Sequence, residues 1–430
     1  MVRIERLAQG GNGVGRIDGK VCFVPFCAPD DLIRVRVVKE HRSYLEAEIT
    51  ELCESSPSRV TPPCPAFGRC GGCDWQHLSY AAQCEAKRSI LLDTLQRVGK
   101  LATPPISATC AASRQYGYRA RAQFKLHRAA DGLKAGFFRR GSRFVIDLPE
   151  GCPVVTAAIN RTLLALRAAL EQLPDCDRVP QISLEEGEDG VAVIVHYIGN
   201  EPQRLERLLR ELAEQLPVSG IHLQSGRKDS LQRVVGAELI RYRVPAGARE
   251  LTLGYGIGGF SQVNREQNRR MIDLVRGFVV DGHPQRLLDL YCGNGNLTLP
   301  LADVAQELLG IEGYTPSIAS AVDNCRQARV NNSTFVCEDA GAAVDRLIAA
   351  GERFDTLLLD PPRSGAVEVV RQAALLGADR IVYVSCDPGT LARDLSILTG
   401  PGRYRLLEAV PLDMFPQTAH LETVALLAAT

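Results

Sequence analysis

The chain has no surplus of charge, no long apolar run and no internal repeat, and each absence removes a class of protein. Its 50 Lys and Arg balance 50 Asp and Glu for a formal net charge of +0, so a uniformly basic nucleic-acid binder is excluded and any basic surface must be local. No stretch approaches the ~20 apolar residues of a membrane span, and the opening MVRIERLAQGG has no apolar core of the signal-peptide kind. The expectation is a soluble cytoplasmic chain. There is no low-complexity tract, and 45% hydrophobic with 23% charged residues is the mixture of an ordinary globular protein.

Cysteine, by contrast, is plentiful: 14 residues. In a reducing compartment, clustered cysteines point to metal ligands or nucleophiles before disulfides. At ~150 residues per domain, the 430 residues divide into about three parts. Residues 1–55 carry short alternating runs, such as Lys20 to Pro25 and Leu32 to Val38, separated by turn residues, which predicts a small β-barrel. Residues 56–260 read as an α+β domain that opens on a cysteine-rich segment. It has helical patterns at Tyr80 to Val98, 157–173 and 202–216, and strand patterns at 122–126 and 191–195. Residues 261–430 alternate helix and strand, the pattern of a doubly wound, Rossmann-like parallel sheet, so the whole is an α/β chain.

The C-terminal part carries the strongest signal. A strand at Arg286 to Leu290 runs into a Gly293-x-Gly295 turn expected to open a helix, which lets backbone approach a ligand at the strand's carboxyl end. The third glycine of a dinucleotide fingerprint falls at Thr298, which weakens an NAD-dependent, iron–sulfur oxidoreductase. The next strand ends in Glu312, placed to accept from both hydroxyls of a ribose, and later strands end in Asp339 and in Asp360-Pro-Pro-Arg-Ser-Gly365. An S-adenosylmethionine site fits this rim better than NAD.

A fifth strand, Arg380 to Ser385, delivers Cys386 to the same rim, next to an Asp-Pro-Gly turn and a helix start where a thiolate is favoured. If the last strand runs antiparallel, Glu422 faces Cys386 across the pocket, with His420 just before it. A thiol and a carboxylate beside a methyl donor suit a thiolate that adds to an electron-poor ring and a base that removes a proton from the neighbouring carbon.

Phe260-Ser-Gln262-Val-Asn264, Asp289-Leu-Tyr-Cys-Gly-Asn-Gly-Asn296, Asp360-Pro-Pro-Arg-Ser-Gly365, Val384-Ser-Cys386-Asp-Pro388 and Phe415-Pro-Gln-Thr-x-His-x-Glu422 together resemble the motif set of the bacterial RNA uridine-5-methyltransferases. The resemblance covers essentially the whole chain. It implies that Cys386 attacks carbon 6 of a uridine, that carbon 5 takes the methyl group, and that Glu422 then removes the carbon 5 proton. It also implies S-adenosylmethionine contacts from Gln262, Tyr291, Asn296, Glu312, Asp339 and Asp360. The family often has Phe where Tyr291 stands.

Cys64, Cys70 and Cys73 form C-x5-C-x2-C around Gly71-Gly72, a set of soft ligands for zinc or an iron–sulfur cluster. The resemblance implies a structural [4Fe–4S] cluster whose fourth ligand precedes a proline in the central domain, and Cys152-Pro153 matches; the rival Cys84 lies on the expected helix. Between Arg114 and Phe144, nine Lys and Arg face one acid, Asp131, with aromatic residues interleaved. This suits phosphate contact and stacking on single-stranded RNA, though a basic solvated face over an aromatic core has the same pattern. The N-terminal part resembles a TRAM domain, although its eight basic and eight acidic residues within 1–53 give no electrostatic support for RNA. By resemblance, the TRAM-like part and the cluster favour 23S rRNA as substrate over tRNA, and a monomer is expected. The reading from another class is a non-catalytic iron–sulfur RNA-binding protein; intact Cys386 and Glu422 argue against it.

Overall fold

The computed structural model describes residues 1–400 and 402–430. The N-terminal strands are β1 (Val2–Arg3), β2 (Arg6–Leu7), β3 (Gly13–Ile17), β4 (Lys20–Val24), β5 (Leu32–Glu40) and β6 (Tyr44–Glu54), in the order β1-β5-β6-β4-β3-β2. The two ends of that order, β1 and β2, are parts of one extended run. Ile4 N–H donates to Asp31 O on one side and Glu5 N–H to Val14 O on the other, so the sheet curls back toward its own first edge. Alternating inward residues (Val2, Ile4, Cys22, Val24, Ile33, Leu45) fill the interior.

Helix α1 (Tyr80–Arg97) follows the cysteine segment and is capped by Ser79, whose side chain accepts from Ala82 N–H. The central sheet contains β7 (Arg121–Ala129), β8 (Gly132–Phe138), β9 (Val145–Asp147), β10 (Gln181–Gly187), β11 (Gly190–His196), β12 (Gly220–Gln224) and β13 (Leu231–Gly236). Its order is β13-β12-β11-β10-β7-β8-β9. Helices α2 (Ala157–Glu171) and α3 (Pro202–Ala213) bury Ile159, Leu163, Leu166, Leu205 and Leu209 against it. A separate hairpin, β14 (Leu239–Ala246) with β15 (Arg249–Gly256), comes next.

The C-terminal part runs α4 (Arg265–Val280), β16 (Arg286–Leu290), β17 (Glu307–Glu312), α5 (Thr315–Gln327), β18 (Ser333–Cys337), α6 (Ala340–Ala349), β19 (Thr356–Leu359), α7 (Val367–Gln372), β20 (Arg380–Ser385), α8 (Pro388–Thr399), β21 (Tyr404–Leu412) and β22 (Glu422–Ala429). The sheet order is β18-β17-β16-β19-β20-β22-β21, parallel from β18 to β20 with β22 antiparallel to both neighbours. Its central strands are apolar on both faces, and every residue of β19 is buried, as layers on each side require.

Those layers draw on more than the C-terminal residues. Leu91 and Leu95 of α1 join α6, α7 and α8 on one face. The β14–β15 hairpin joins α4 on the other, through Tyr242, Val244, Leu253 and Tyr255. Packing therefore crosses residue 260 in both directions. One local expectation fails: the glycine turn after β16 opens no α-helix, only turns and a short 3-10 stretch at Leu299–Leu301. Pro300 has no N–H to return to Asn296 O, so a regular helix loses a bond in its first turns. Among the described residues no helix is long and apolar enough to cross a membrane.

The tie between α1 and the C-terminal sheet is ionic as well as apolar. Lys87 is fully buried and its Nζ pairs with the equally buried Asp413, while donating to Phe415 O at 3.2 Å. Removing one partner leaves an uncompensated buried charge. Lys87→Met is expected to cost about 3–5 kcal/mol of stability, read from urea denaturation midpoints, and the double variant Lys87→Met, Asp413→Leu is expected to recover most of it.

Candidate active site

The rim at the carboxyl ends of β16 to β20 gathers the expected polar residues. At the end of β16, Tyr291 adopts φ +68, and its N–H and that of Cys292 both donate to Ile311 O at 2.9 and 3.0 Å. A bulky residue in the left-handed region is uncommon and is held there by its surroundings. Here the turn is pinned to β17. Glu312, at the end of β17, accepts from Gly293 N–H at 3.3 Å and Tyr314 N–H at 2.8 Å. Asp339 caps α6, taking Gly341 and Ala342 N–H on one oxygen at 3.0 and 3.1 Å. Its other oxygen has no such duty.

Asn296 exchanges amide hydrogen bonds with Asn268 on α4, both at 2.9 Å, and also accepts from Tyr242 Oη at 3.2 Å. Its amide therefore orients the turn. Gln262 lies between the β14–β15 hairpin and α4, lining a small cavity with Tyr242, Tyr255 and Arg265. Thr298, which breaks the dinucleotide fingerprint, donates its hydroxyl to Asp289 Oδ2. Asp289 is buried, and its Oδ1 has no hydrogen-bond partner.

The rim is crowded with carboxylates. Burial, followed by repulsion from Asp360 and Glu312, pushes Asp289 up to about 8. Burial and Glu312 push Asp360 up to about 7. Such groups hold protons near neutrality unless a positive charge joins them, so the donor set fits a cationic nucleoside ligand.

Cys386 and Glu422 meet as the antiparallel reading requires. Ser385 pairs with Thr423 across the β20–β22 ladder, so the residues just beyond each lie side by side. Glu422 is 3% exposed. Burial and Asp360 raise its carboxyl well above the usual range, with Arg363 opposing. The Cys386 thiol is pushed up to about 11 by burial, then by Glu422 and Asp360, again with Arg363 opposing. This runs against the expectation that the helix start favours a thiolate: Asp387 caps α8, taking Gly389 and Thr390 N–H at 2.9 Å, and burial, followed by Glu422 and Asp360, raises the thiol. Arg363 carries the cation that faces Cys386, Glu422 and His420. Its place within Asp360-Pro-Pro-Arg-Ser-Gly365 carries no role by itself; a single Arg between acidic strand ends was the available signal. His420 lines a different cavity.

That cavity, about 260 Å³, is lined by Cys64, Cys70, Cys73 and Cys152 together with Gln76, Arg119, Thr418 and His420. The cysteine loop is folded by tight turns (Phe67 N–H to Cys64 O, Cys70 N–H to Ala66 O) and joined to the end of β8 through Gly71 N–H to Phe138 O. Cys152 is fixed by Asn160, which accepts from its N–H at 2.8 Å and donates to its carbonyl at 2.9 Å. Burial and neighbouring thiols raise Cys70 and Cys152 and push Cys73 up to about 12. Cys84, half-buried on α1, does not line this cavity. Among the described residues, no three His, Cys, Asp or Glu side chains are gathered as ligands of a single metal ion.

The basic stretch divides on folding. Arg121, Arg128, Lys134 and Arg140 form ion pairs with Glu185, Glu171, Asp131 and Asp74. Phe124 is buried in the core. Arg139 and Arg143, with Phe138 and the 61% exposed Phe144, sit at the tip after β8 beside Gly71 and Gly72.

The sheet order, with its last strand inserted in reverse beside β20 and the polar rim at the carboxyl ends, is that of a doubly wound methyltransferase. Residues 79–430 match the family described as tRNA (Uracil-5-)-methyltransferase, and residues 1–50 match the TRAM domain. The chain belongs to that methyltransferase family. It is 37% identical over 430 residues to a 23S rRNA (uracil(1939)-C(5))-methyltransferase of Xanthomonas oryzae pv. oryzae, covering 98% of this chain and 95% of the relative. It is 36% identical over 439 residues to a protein of the same description from Nitrosococcus oceani, covering 98% and 94%. Among solved structures, a Pyrococcus abyssi tRNA (uracil-54, C5)-methyltransferase in complex with S-adenosyl-L-homocysteine is similar with a TM-score of 0.76 and 27% identity, covering 100% of both chains.

The raised thiol has a direct test. Iodoacetamide labelling of Cys386 in the free protein, followed by peptide mass spectrometry from pH 7 upward, is expected to accelerate toward a midpoint near 11, because only the thiolate reacts. Arg363→Ala removes the one opposing charge and is expected to move that midpoint higher; a midpoint near the ordinary thiol value contradicts the assignment.

Proposed function

We propose that this chain transfers a methyl group from S-adenosylmethionine to carbon 5 of a uridine in RNA, with 23S rRNA as the substrate. The observation that carries the reading is the pairing of Cys386 with a buried Glu422 beside Asp360 at the sheet rim. The TRAM match and the curated relatives support ribosomal RNA. The tRNA alternative draws on the Pyrococcus abyssi likeness.

Tyr291, Asn296, Glu312, Asp339 and Asp360, with Gln262 on the neighbouring loop, would hold the cofactor, Glu312 being suited to the ribose hydroxyls. When bound, S-adenosylmethionine supplies the methyl group and brings a sulfonium charge to a rim lined with carboxylates. Cys386 gives up its proton to solvent and forms a bond to carbon 6 of the uracil, while the carbon 5–carbon 6 π pair moves toward carbon 5 and makes it nucleophilic. After carbon 5 is methylated, Glu422 as carboxylate removes the carbon 5 proton, the carbon 6 to sulfur bond breaks, and Cys386 leaves with the electron pair. Arg363 stabilises both anionic forms. Arg139, Arg143 and Phe144 suit phosphate contact and base stacking. The reading takes the enzyme to act as a cytoplasmic monomer divided at 1–55, 56–260 and 261–430.

Cys64, Cys70, Cys73 and Cys152 are proposed to hold a structural [4Fe–4S] cluster. Four thiols spread around one cavity suit a group of several irons better than one zinc ion, which takes its sulfurs at about 2.3 Å. The cluster has no part in methyl transfer. Iron near four per chain and absorbance near 400 nm are expected in anaerobically purified protein, both lost in Cys70→Ser; one zinc per chain would refute the cluster.

The activity is tested with tritiated methyl donor and total RNA from a strain lacking the gene. One uridine in 23S rRNA is expected to become 5-methyluridine, mapped by mass spectrometry; label confined to tRNA would favour the alternative, and no labelled uridine would sink both. Cys386→Ala is expected to abolish turnover and any covalent adduct. Glu422→Gln is expected to accumulate the adduct and slow product formation by roughly a hundredfold or more, the usual worth of a general base.

A further inference from the structure

The loop 413–421 joins β21 to β22 and ends on Glu422, yet it has no strand or helix structure of its own. Beyond the bonds from Thr418 to Phe415 O and from His420 N–H to Thr418 Oγ1 within it, the loop is held from outside. Asn264 Nδ2 donates to Met414 O at 3.2 Å, Gln267 Nε2 to Asp413 O at 2.9 Å and Tyr118 Oη to Pro416 O at 3.0 Å. The strained point is Gln417, a non-glycine residue at φ +71, a conformation L side chains adopt only where the surroundings enforce it.

The enforcing residue is Gln83 of α1. Its Oε1 accepts from Gln417 N–H at 2.9 Å and its Nε2 donates to Gln417 Oε1 at 3.0 Å. The same Nε2 donates to Trp75 O and Leu78 O at 3.2 and 3.1 Å, and Gln83 is fully buried. From the opposite side, Asp74 and Trp75 N–H both donate to Gln417 O at 3.0 Å, and Asp74 Oδ2 accepts from Ala419 N–H at 3.2 Å. One helical turn further on, Lys87 grips the loop's beginning at Asp413 and Phe415. Two side chains on one face of a helix thus hold both halves of the loop.

We propose that Gln83 is a positioning residue for proton abstraction: it holds Gln417 in its left-handed conformation and so fixes the loop that leads into Glu422. The proposal rests on Glu422 acting as the base. Relaxing the loop admits water around that carboxylate and shifts the wall facing carbon 5. Nothing Gln83 touches belongs to Cys386 or to the cofactor rim, so formation of the sulfur to carbon 6 bond stays intact.

The test is single-turnover kinetics of Gln83→Ala with substrate RNA and S-adenosylmethionine, following the denaturation-resistant protein–RNA adduct and the labelled product separately. Adduct formation is expected to match the unmodified enzyme, while product release falls by roughly ten- to a hundredfold, the scale of a misplacement of about 1 Å. S-adenosyl-L-homocysteine affinity is expected to stay unchanged. Adding Gln417→Gly, which adopts positive φ without strain, is expected to restore part of the release rate. If Gln83→Ala does not fold, Gln83→Met, with similar volume and no such hydrogen bonds, takes its place. Release at the unmodified rate overturns the proposal, as does an equal loss in adduct formation and release with no rescue by Gln417→Gly. Glu422→Gln run in parallel separates the two readings: if it traps no adduct, the base assignment fails first.

Discussion

Because β22 runs against β20, the residue that begins one strand lies beside the residue that follows the other, and the chemistry at the rim depends on that reversal. In an all-parallel sheet Glu422 would stand at the opposite edge from Cys386. Here Ser385 and Thr423 are ladder partners, and the loop that must bridge β21 and β22 leads directly into Glu422. The clamps on that loop, from Lys87, Tyr118 and Asn264, then follow from the need to give a buried, irregular segment its hydrogen bonds.

The rim has a second constraint, an excess of negative charge in a dry place. Burial raises the proton affinity of Asp289, Asp360 and Glu422, Asp360 adds to the rise in the other two and Glu312 to that of Asp289 and Asp360, and Arg363 is the cation set against Glu422 and Cys386. Both the Cys386 thiol and the Glu422 carboxyl are therefore pushed toward their protonated forms. A site of this kind is quiet until a ligand brings positive charge. That state protects a reactive sulfur from alkylation and oxidation.

Much of this was legible in the sequence because the signals were local and periodic. Strand ends at Glu312, Asp339, Asp360 and Cys386 follow from apolar runs broken by polar or glycine-rich turns, and Glu422 opens the final apolar run. What escaped had tertiary causes. β21 was not foreseen because Glu408 and Pro411 interrupt its pattern; a shift in register near Leu406 absorbs the first, and its place at the sheet edge tolerates the second. The expected thiolate reflected the neighbouring helix start and could not anticipate the burial of Cys386 or the carboxyl groups of Asp360 and Glu422 from two other strands. Lys87 on a helix reads as surface, and only its distant partner Asp413 explains its burial. Pro300, in plain view, was sufficient reason to doubt a helix after the glycine turn.

The barrel-like sheet at the N-terminus reaches the same loop. Trp75 Nε1 donates to Gly11 O at 3.0 Å, Gln9 Nε2 donates to Asp387 Oδ2 at 3.2 Å, and a Cβ on Gly11 would stand 3.0 Å from that of Ala419. Every group that holds the loop is thus made earlier on the ribosome than the loop itself, at separations in sequence that rank among the slowest contacts to form. A growing chain can fold its sheets one after another while the catalytic centre stays unassembled. The loop is fully held only where the last hairpin meets helix, cysteine loop and barrel together.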